Sequence, residues 1–553
     1  MKNYLPLLFS AWALAMAQTT PPTIPAARPA PIPVIQQNGN VKQMMVDGKP
    51  FLMLAGELHN SSASSIEYMK PIWKKLEAMH LNTVIGTASW ELVEPQEGKF
   101  DFTLVDDQIH QARAHHMRLV LIWFATWKNA NASYTPLWVK KDSQRFPRVQ
   151  SRDGVAGEEL TPLGTESLAA DSKAFRTLMR HIRTVDPQHT VIMMQVENET
   201  GKLGDSRDRS PLAEDAWNRP VPSALMNYLS ENQAKLLPEL TKAWGTNGFR
   251  SSGTWPEVFG TDANADEVFM AWHVARYVGK VAEAGKAELP IPMYANAWLV
   301  QNETQLPGGY PSGGPVSRVH DIWRAAAPQL DLLAPDIYLP DFRGVCASYA
   351  RSGNALFIPE ARASVPNLFW AIGNHAALGY SPFGIESLPE DTPLASAYQS
   401  LEGMIPILTK YQAEGRVAVA VQEGPDQQNQ AISLGGYRMS LTFGGGRRPG
   451  LPAGPEGAAG APRPAQQDQG FALVIHTGPD EFVMAGQDVS LTATPETPGP
   501  KLAGFGSIDE GRYEKGVWIP GRRLNGDESG GGTRASIHGQ GVGVLKIKLY
   551  RYQ

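Results

Sequence analysis

Eight short runs of apolar and β-branched residues, most of them closing on a polar side chain, recur along the chain up to residue 386. They lie at Phe51–Glu57, Asn82–Thr87, Leu119–Phe124, Thr190–Val196, Ile291–Asn296, Leu332–Ile337, Leu356–Glu360 and Pro382–Glu386. Longer stretches of helical periodicity separate them. In Ile66–His80, residues Ile66, Met69, Trp73 and Leu76 fall three or four apart on one face, and Leu104–His116 and Val268–Ala287 are of the same kind. Strands that alternate with helices in this way build parallel βα units. Eight of them predict an α/β fold, a (β/α)8 TIM barrel, in preference to an open doubly wound sheet, because no glycine-rich dinucleotide fingerprint follows the first strand.

The barrel is expected over residues 36–412. The interval from 202 to 289 is longer than one βα unit and predicts extra helices and a loop around "GTWPEVFGTDANAD". Beyond residue 412 the texture changes to short alternating segments such as "RVAVAVQ", "FALVIHTG" and "GVGVLKIKLYRY" between Gly and Pro turns, so residues 413–553 are expected to form a smaller all-β C-terminal sandwich domain. Within it, residues 444–470 are rich in Gly, Pro and Ala and read as a flexible loop with little to bury. The sandwich reads as a scaffold that packs on the barrel and contributes a homodimer interface, rather than as a carbohydrate-binding module, because no exposed aromatic platform is evident.

At the other end, "MKNYLPLLFSAWALAMAQ" carries one positive residue, an apolar run and a small-x-small site at Ala15–Ala17, so residues 1–17 are expected to be a signal peptide. The run is short of the roughly 20 residues that span a bilayer, and no later segment is apolar enough, so no stable membrane anchor is expected. Residues 18–35 read as a proline-rich linker. Cys346 is the single cysteine, which rules out an intrachain disulfide and a thiolate metal cluster. Export without disulfides suits a bacterial periplasmic or secreted enzyme. A net charge of −5, with 42% hydrophobic and 19% charged residues, argues against nucleic acid as a partner.

Functional side chains of such a barrel sit where its strands end at the C-terminal face. At or just after the expected ends stand Glu57, Trp90 and Glu91, Trp127 and Asn129, Asn198 and Glu199, Asn296 and Trp298, Asp336 and Tyr338, Glu360, and Glu386. Carboxylates, amides and tryptophans converge there. There is no HExxH, GxSxG or P-loop motif and no His/Asp cluster with metal spacing, so neither a metal nor a cofactor is expected. Carboxylate chemistry on a ligand that aromatic rings can stack against points to a carbohydrate, since cleaving a glycosidic bond needs one carboxyl group as proton donor and a second as nucleophile or base. Within "QVENET", strand alternation predicts Glu197 and Glu199 on one side and Asn198 on the other. Arg362, two residues past Glu360, is a candidate ion-pair partner that would keep that carboxylate charged.

Four motifs, Gly56–His59, Leu81–Val84, "WELVEPQEGKFDF" at Trp90–Phe102 and "QVENETG" at Gln195–Gly201, together resemble the β-galactosidases of glycoside hydrolase family 35, over about residues 40–400. The resemblance implies a retaining exo-acting enzyme that removes terminal non-reducing β-D-galactosyl residues from plant-type oligo- or polysaccharides through a covalent galactosyl-enzyme. It implies Glu199 as general acid/base, Glu360 as nucleophile, and Asn198 as ligand to the hydroxyl beside the anomeric carbon. Glu197 becomes a buried supporting carboxyl group. The chain departs from the family pattern at Asn60 and Thr200, where a tyrosine is usual, and at "WFATWKNAN", where a sugar-binding glutamate is lost. Trp90, Glu91, Trp127 and Asn129 are the candidates to rebuild that subsite, Trp298 and Trp370 are candidate stacking platforms, and Tyr338 is a candidate to orient the nucleophile. The alternatives are a retaining β-glycosidase of other specificity, such as an α-L-arabinopyranosidase, and a non-catalytic carbohydrate-binding barrel.

Overall fold

The computed structural model describes residues 30–424, 426–444, 469–539 and 541–553. The expected signal peptide, residues 18–29 of the expected linker and residues 445–468 of the expected loop lie outside the described residues.

Eight parallel strands close into a barrel in chain order: β1 (Met53–Glu57), β2 (Thr83–Ser89), β3 (Arg118–Lys128), β4 (Val191–Asn198), β5 (Met293–Trp298), β6 (Leu332–Ile337), β7 (Ile358–Ala361) and β8 (Gly379–Pro382). The apolar runs follow from burial on both faces. In β3, Val120, Ile122 and Phe124 belong to the cluster that fills the lumen, while Leu119, Leu121, Trp123 and Ala125 pack outward against the helices. A three-stranded antiparallel sheet, Val34–Asn38, Val41–Val46 and Lys49–Phe51, precedes β1 and places Met44 and Val46 in the lumen cluster. Its first strand begins inside the segment read as proline-rich linker, and its mixed, partly exposed strands leave little hydrophobic signal.

The eighth strand is displaced from its expected place. The ladder with β1 runs through Gly379↔Met53 and Tyr380↔Leu54, and residues Ile385–Ser387 form a 3-10 turn. The apolar texture of "YSPFGI" continues past the last paired residue, and Gly384, at φ +65°, turns the chain against the His59 ring, where a Cβ would approach to 2.6 Å. The stretch read as a loop near residue 255 carries a short helix, Trp255–Phe259, with the Thr254 N–H donating to the Glu257 carboxylate at 2.7 Å. Asp262 then caps the long helix Ala263–Lys286 through the Ala265 N–H, at 2.9 Å.

After the barrel's last helix, Pro393–Ala413, the chain forms a six-stranded and a four-stranded antiparallel sheet. Alternation in the six-stranded sheet serves two cores: Phe471, Leu473 and Ile475 join the barrel's cluster, and Ala472 and Val474 join the core between the sheets. The Phe471 ring lies 4.5 Å from that of Phe369 on helix Val365–His375. At Gly403 the barrel helix passes so close that a Cβ would meet the Tyr513 carbonyl oxygen. The sandwich is therefore joined to the barrel by a continuous apolar core. Phe471→Ala is expected to destabilise the protein by about 3–5 kcal/mol, read by denaturant melting, because it opens a cavity in that shared core. Among the described residues no helix is long and apolar enough to cross a membrane.

Candidate active site

Five carboxyl groups converge at the C-terminal ends of the strands: Glu57 closing β1, Glu199 just after β4, Asp336 near the end of β6, Glu360 in β7 and Glu386 after β8. Parallel pairing sets Asp336 beside Glu360 and Trp298 beside Asp336, and a bridge joins Glu57 to Phe383. Lys128, at the end of β3 and level with Asn198, adds a positive charge that favours ionisation of Glu57 and Glu199.

The strand parity expected for "QVENET" does not hold. Glu197 and Glu199 both adopt left-handed backbone, at φ 65° and 45°, and β4 ends at Asn198. The twist sends the two glutamates apart. Glu197 turns behind the strand, where its Oε2 accepts the Trp127 N–H at 2.7 Å and its carboxyl meets Asp171. Glu199 turns to the mouth. Its N–H donates to Asn296 Oδ1 at 3.0 Å, and the Asn296 amide donates to Asp336 Oδ2 at 2.6 Å.

The electrostatics separate the two principal carboxyls. Burial, followed by the neighbouring charge of Glu360, pushes Glu199 up to about 7, against the opposing pull of Lys128 and Asp336. Such a group holds its proton near neutrality. Burial and then the Glu360 charge also raise Glu57 and Asp336 well above the ordinary carboxyl range. Glu360 instead receives a hydrogen bond, from the Tyr338 hydroxyl to Oε1 at 2.6 Å. Arg362, considered as its ion-pair partner, is exposed and lies over the Tyr338 ring at 5.7 Å.

Several buried polar atoms facing this mouth have no hydrogen-bond partner among the described residues: both amide atoms of Asn198, Glu199 Oε2, Asp336 Oδ1, Glu360 Oε2 and Glu386 Oε2. Buried polar groups are rarely left unmatched, so this set is suited to a ligand rich in hydroxyl groups. The loop behind Glu199 is held by Gly201, at φ +132°, where a Cβ would stand 2.8 Å from the backbone of Pro311 and Ser312.

The structure brings Asn198, Glu199, Tyr338 and Glu360 together, with Trp298 half-buried at the rim. The other candidates have different surroundings. Trp90 is fully buried, its indole N–H donating to Glu94 Oε2 at 2.9 Å and its ring set edge-on to Trp138, because the short helix Trp90–Val93 starts at the strand end and turns that side chain into the core. Trp127 is likewise buried, against Tyr277. Asn129 is exposed in a left-handed turn, Glu91 stands half-buried beside Tyr134, and Trp370 lies under the Arg343 guanidinium at 4.0 Å. Lys128 has no place in the sequence reading, although a lysine closing the run "LVLIWFATWK" marks a strand end as clearly as a glutamate does. Glu386 was legible as a strand-end residue, but its tie to the first βα loop, through the Ser62 hydroxyl at 2.5 Å and the His59 N–H at 2.9 Å, is a tertiary fact. Among the described residues no group of three or more His, Cys, Asp or Glu is arranged to hold a metal ion.

Comparison with known proteins finds similarity to beta-galactosidases over part of the chain. The glycoside hydrolase family 42 model, described as beta-galactosidase, matches residues 62–258, and a domain of unknown function (DUF5597) matches residues 394–536. The matching model is that of family 42, so the resemblance to family 35 drawn from the motifs is not supported by it. A curated beta-galactosidase of Xanthomonas manihotis is 31% identical over 199 residues, which cover 35% of this chain and 30% of that protein. The match thus spans under a third of that relative's length. Similar solved structures include a beta-galactosidase from Bacillus circulans sp. alkalophilus, with 15% identity, a TM-score of 0.44 and coverage of 65% of this chain and 57% of that one. The catalytic domain of a beta-amylase from Paenibacillus polymyxa has 13% identity, a TM-score of 0.45 and coverage of 64% and 97%.

Proposed function

We propose that the chain is a retaining exo-β-galactosidase in which Glu199 is the general acid/base and Glu360 the nucleophile. The observation that carries this reading is the pair itself: two glutamates from opposite parts of one barrel mouth, the first raised to about 7 by burial and by the charge of the second. A carboxylic acid at that value can protonate a leaving-group oxygen near neutrality, and an ionised carboxylate can attack the anomeric carbon. The match of residues 62–258, which include Glu199, to the beta-galactosidase model supports the reading as a β-galactosidase.

In the first step Glu360 attacks the anomeric carbon while Glu199 passes its proton to the departing oxygen. In the second, Glu199, now a base, takes a proton from the water that releases the sugar. Asn198 hydrogen-bonds the hydroxyl beside the anomeric carbon. Such a double displacement requires two carboxyl groups about 5–5.5 Å apart. The natural substrate is proposed to be a terminal β-galactosyl group of a plant-type oligo- or polysaccharide, met after export.

The test is a panel of aryl β-D-galactosides, β-D-glucosides and α-L-arabinopyranosides, with the anomer of the first-formed sugar followed by NMR. Preferential turnover of β-galactoside with retention is expected. Preference for the arabinopyranoside, which lacks the exocyclic hydroxymethyl group, would overturn the galactose assignment, and inversion would overturn the roles. A 2-deoxy-2-fluorogalactosyl label is expected on the peptide containing Glu360. Tyr338→Phe removes the hydrogen bond to the nucleophile, and a bond to a charged group is worth about 1.5–3 kcal/mol, so kcat is expected to fall by about tenfold or more. Unchanged steady-state kinetics would show that Tyr338 does not act on Glu360.

A further inference from the structure

Behind the mouth, on the far side of β4, two carboxyl groups meet. Glu197 and Asp171, the latter on helix Thr165–Val185, are both fully buried and lie against the same end of β3, Asp171 accepting from the Thr126 hydroxyl and Glu197 from the Trp127 N–H. Their other partners divide unequally. Asp171 Oδ1 accepts the Trp123 indole N–H at 2.8 Å, and its Oδ2 accepts the Thr126 hydroxyl at 2.8 Å and the Tyr277 hydroxyl at 3.1 Å. Both of its oxygens are therefore already acceptors. Glu197 Oε2 accepts the Trp127 N–H, while Oε1 has no donor.

Two ionised carboxylates in contact inside a dry core are untenable, so one proton lies between them. The hydrogen-bond inventory places it. Asp171 accepts three donors and keeps a lone pair for one more, so it is the carboxylate, and Glu197, with Oε1 free to carry hydrogen, is the acid.

The pair ties together four elements: the end of β3 through Trp123, Thr126 and Trp127, the end of β4 through Glu197, helix Thr165–Val185, and helix Ala263–Lys286 through Tyr277. Directly after it come the left-handed residues Glu197 and Glu199 with Asn198 between them. Such backbone in a residue other than glycine costs of order 1 kcal/mol or more and persists only where its surroundings over-determine it. Here the surroundings do so. The Gln195 amide donates to the Glu197 carbonyl at 3.0 Å, the Ala130 N–H donates to the Glu199 carbonyl at 3.0 Å, and the Trp127 N–H donates to the Glu197 side chain.

We propose that Glu197 and Asp171 form a one-proton carboxylic acid–carboxylate pair that pins this turn and so positions Asn198 and Glu199 for catalysis. The pair touches no substrate; both are positioning residues. The positioning part rests on the reading of Glu199 as general acid.

Three variants and two readouts test it. Glu197→Gln keeps both hydrogen bonds, since its amide N–H replaces the acid proton toward Asp171 and its carbonyl still accepts from Trp127. It is expected to retain wild-type kinetics on phenyl β-galactoside, whose leaving group needs a proton, and on 2,4-dinitrophenyl β-galactoside, whose leaving group does not. Glu197→Leu and Asp171→Leu release the turn. They are expected to lose about 100-fold in kcat/KM on the phenyl substrate, the scale of a 1 Å misplacement, and much less in kcat/KM on the dinitrophenyl one, which reports formation of the galactosyl-enzyme without proton transfer. Equal losses on both substrates would mean general damage to the fold and overturn the positioning role, as would Glu197→Gln losing as much as Glu197→Leu.

The second readout does not depend on turnover. The infrared difference spectrum of wild type minus Glu197→Gln at neutral pH is expected to contain the carbonyl band of a protonated carboxylic acid, and its absence would overturn the pair. If wild-type protein hydrolyses no aryl glycoside, the proposed function and the positioning role fall together, and the infrared band still decides whether the pair holds a proton.

Discussion

Glu360→Gln is expected to lower kcat/KM for aryl β-galactosides by on the order of 10⁴-fold or more, the scale met when a covalent nucleophile is removed, with the melting temperature held or raised. The amide keeps the shape of the side chain and still accepts from the Tyr338 hydroxyl, but it cannot attack the anomeric carbon. Stability should not suffer, because Glu360 now adds its charge to a mouth where it raises Glu57, Glu199 and Asp336, all of them buried. Removing that charge relieves them. Turnover within tenfold of wild type would remove Glu360 from the mechanism.

Glu199→Gln has the second large effect, and its dependence on substrate and pH identifies the role. Loss of a positioned general acid costs about 10²–10⁴-fold on a substrate with a poor leaving group. The loss should be much smaller for formation of the galactosyl-enzyme from 2,4-dinitrophenyl β-galactoside, which leaves without a proton. In the wild type the acid form of Glu199 is required, so kcat/KM is expected to fall as pH rises through about 7. In Glu199→Gln that basic limb should vanish.

The same shift acts on stability with a definite sign. The folded state holds this proton more tightly than the unfolded chain does, so the contribution of Glu199 is intact below the ordinary carboxyl range and is lost as pH climbs through about 7. Glu199→Gln is therefore expected to melt higher than wild type above pH 7 while losing activity. A basic limb that survives the substitution would assign the titration to another group, and Glu57 and Asp336 are the nearest raised carboxyls.

Much of the barrel is legible in the chain because a parallel strand is apolar on both faces and needs no partner to be recognised. Runs such as "RLVLIWFATW" and "VIMMQVEN" stay apolar whether their side chains enter the lumen or pack against helices. The sheet at residues 34–51 and the hairpin of Arg148–Gln150 with Ala156–Leu160 escape that reading, since short strands with mixed exposure resemble loops. The tryptophans fail for a related reason. Whether a ring beside a strand end stacks on a sugar or fills a core depends on the helix or strand that arrives next to it, and for Trp90 and Trp127 those neighbours are Trp138 and Tyr277.

The chain by itself determined the eight-unit alternation, the all-β texture after residue 412, and the carboxyl chemistry of the strand ends, because each follows from local composition and period. Only the tertiary structure decided what the three residues of "ENE" do. Alternation places Glu197 and Glu199 alike, whereas the positive φ of both, held by contacts from β3, β5 and two helices, turns one into the core against Asp171 and the other to the mouth beside Asp336. A side chain's charge state and direction are set by what surrounds it, and at this turn the surroundings come from residues up to about a hundred positions away in the chain, such as Asn296 against Glu199.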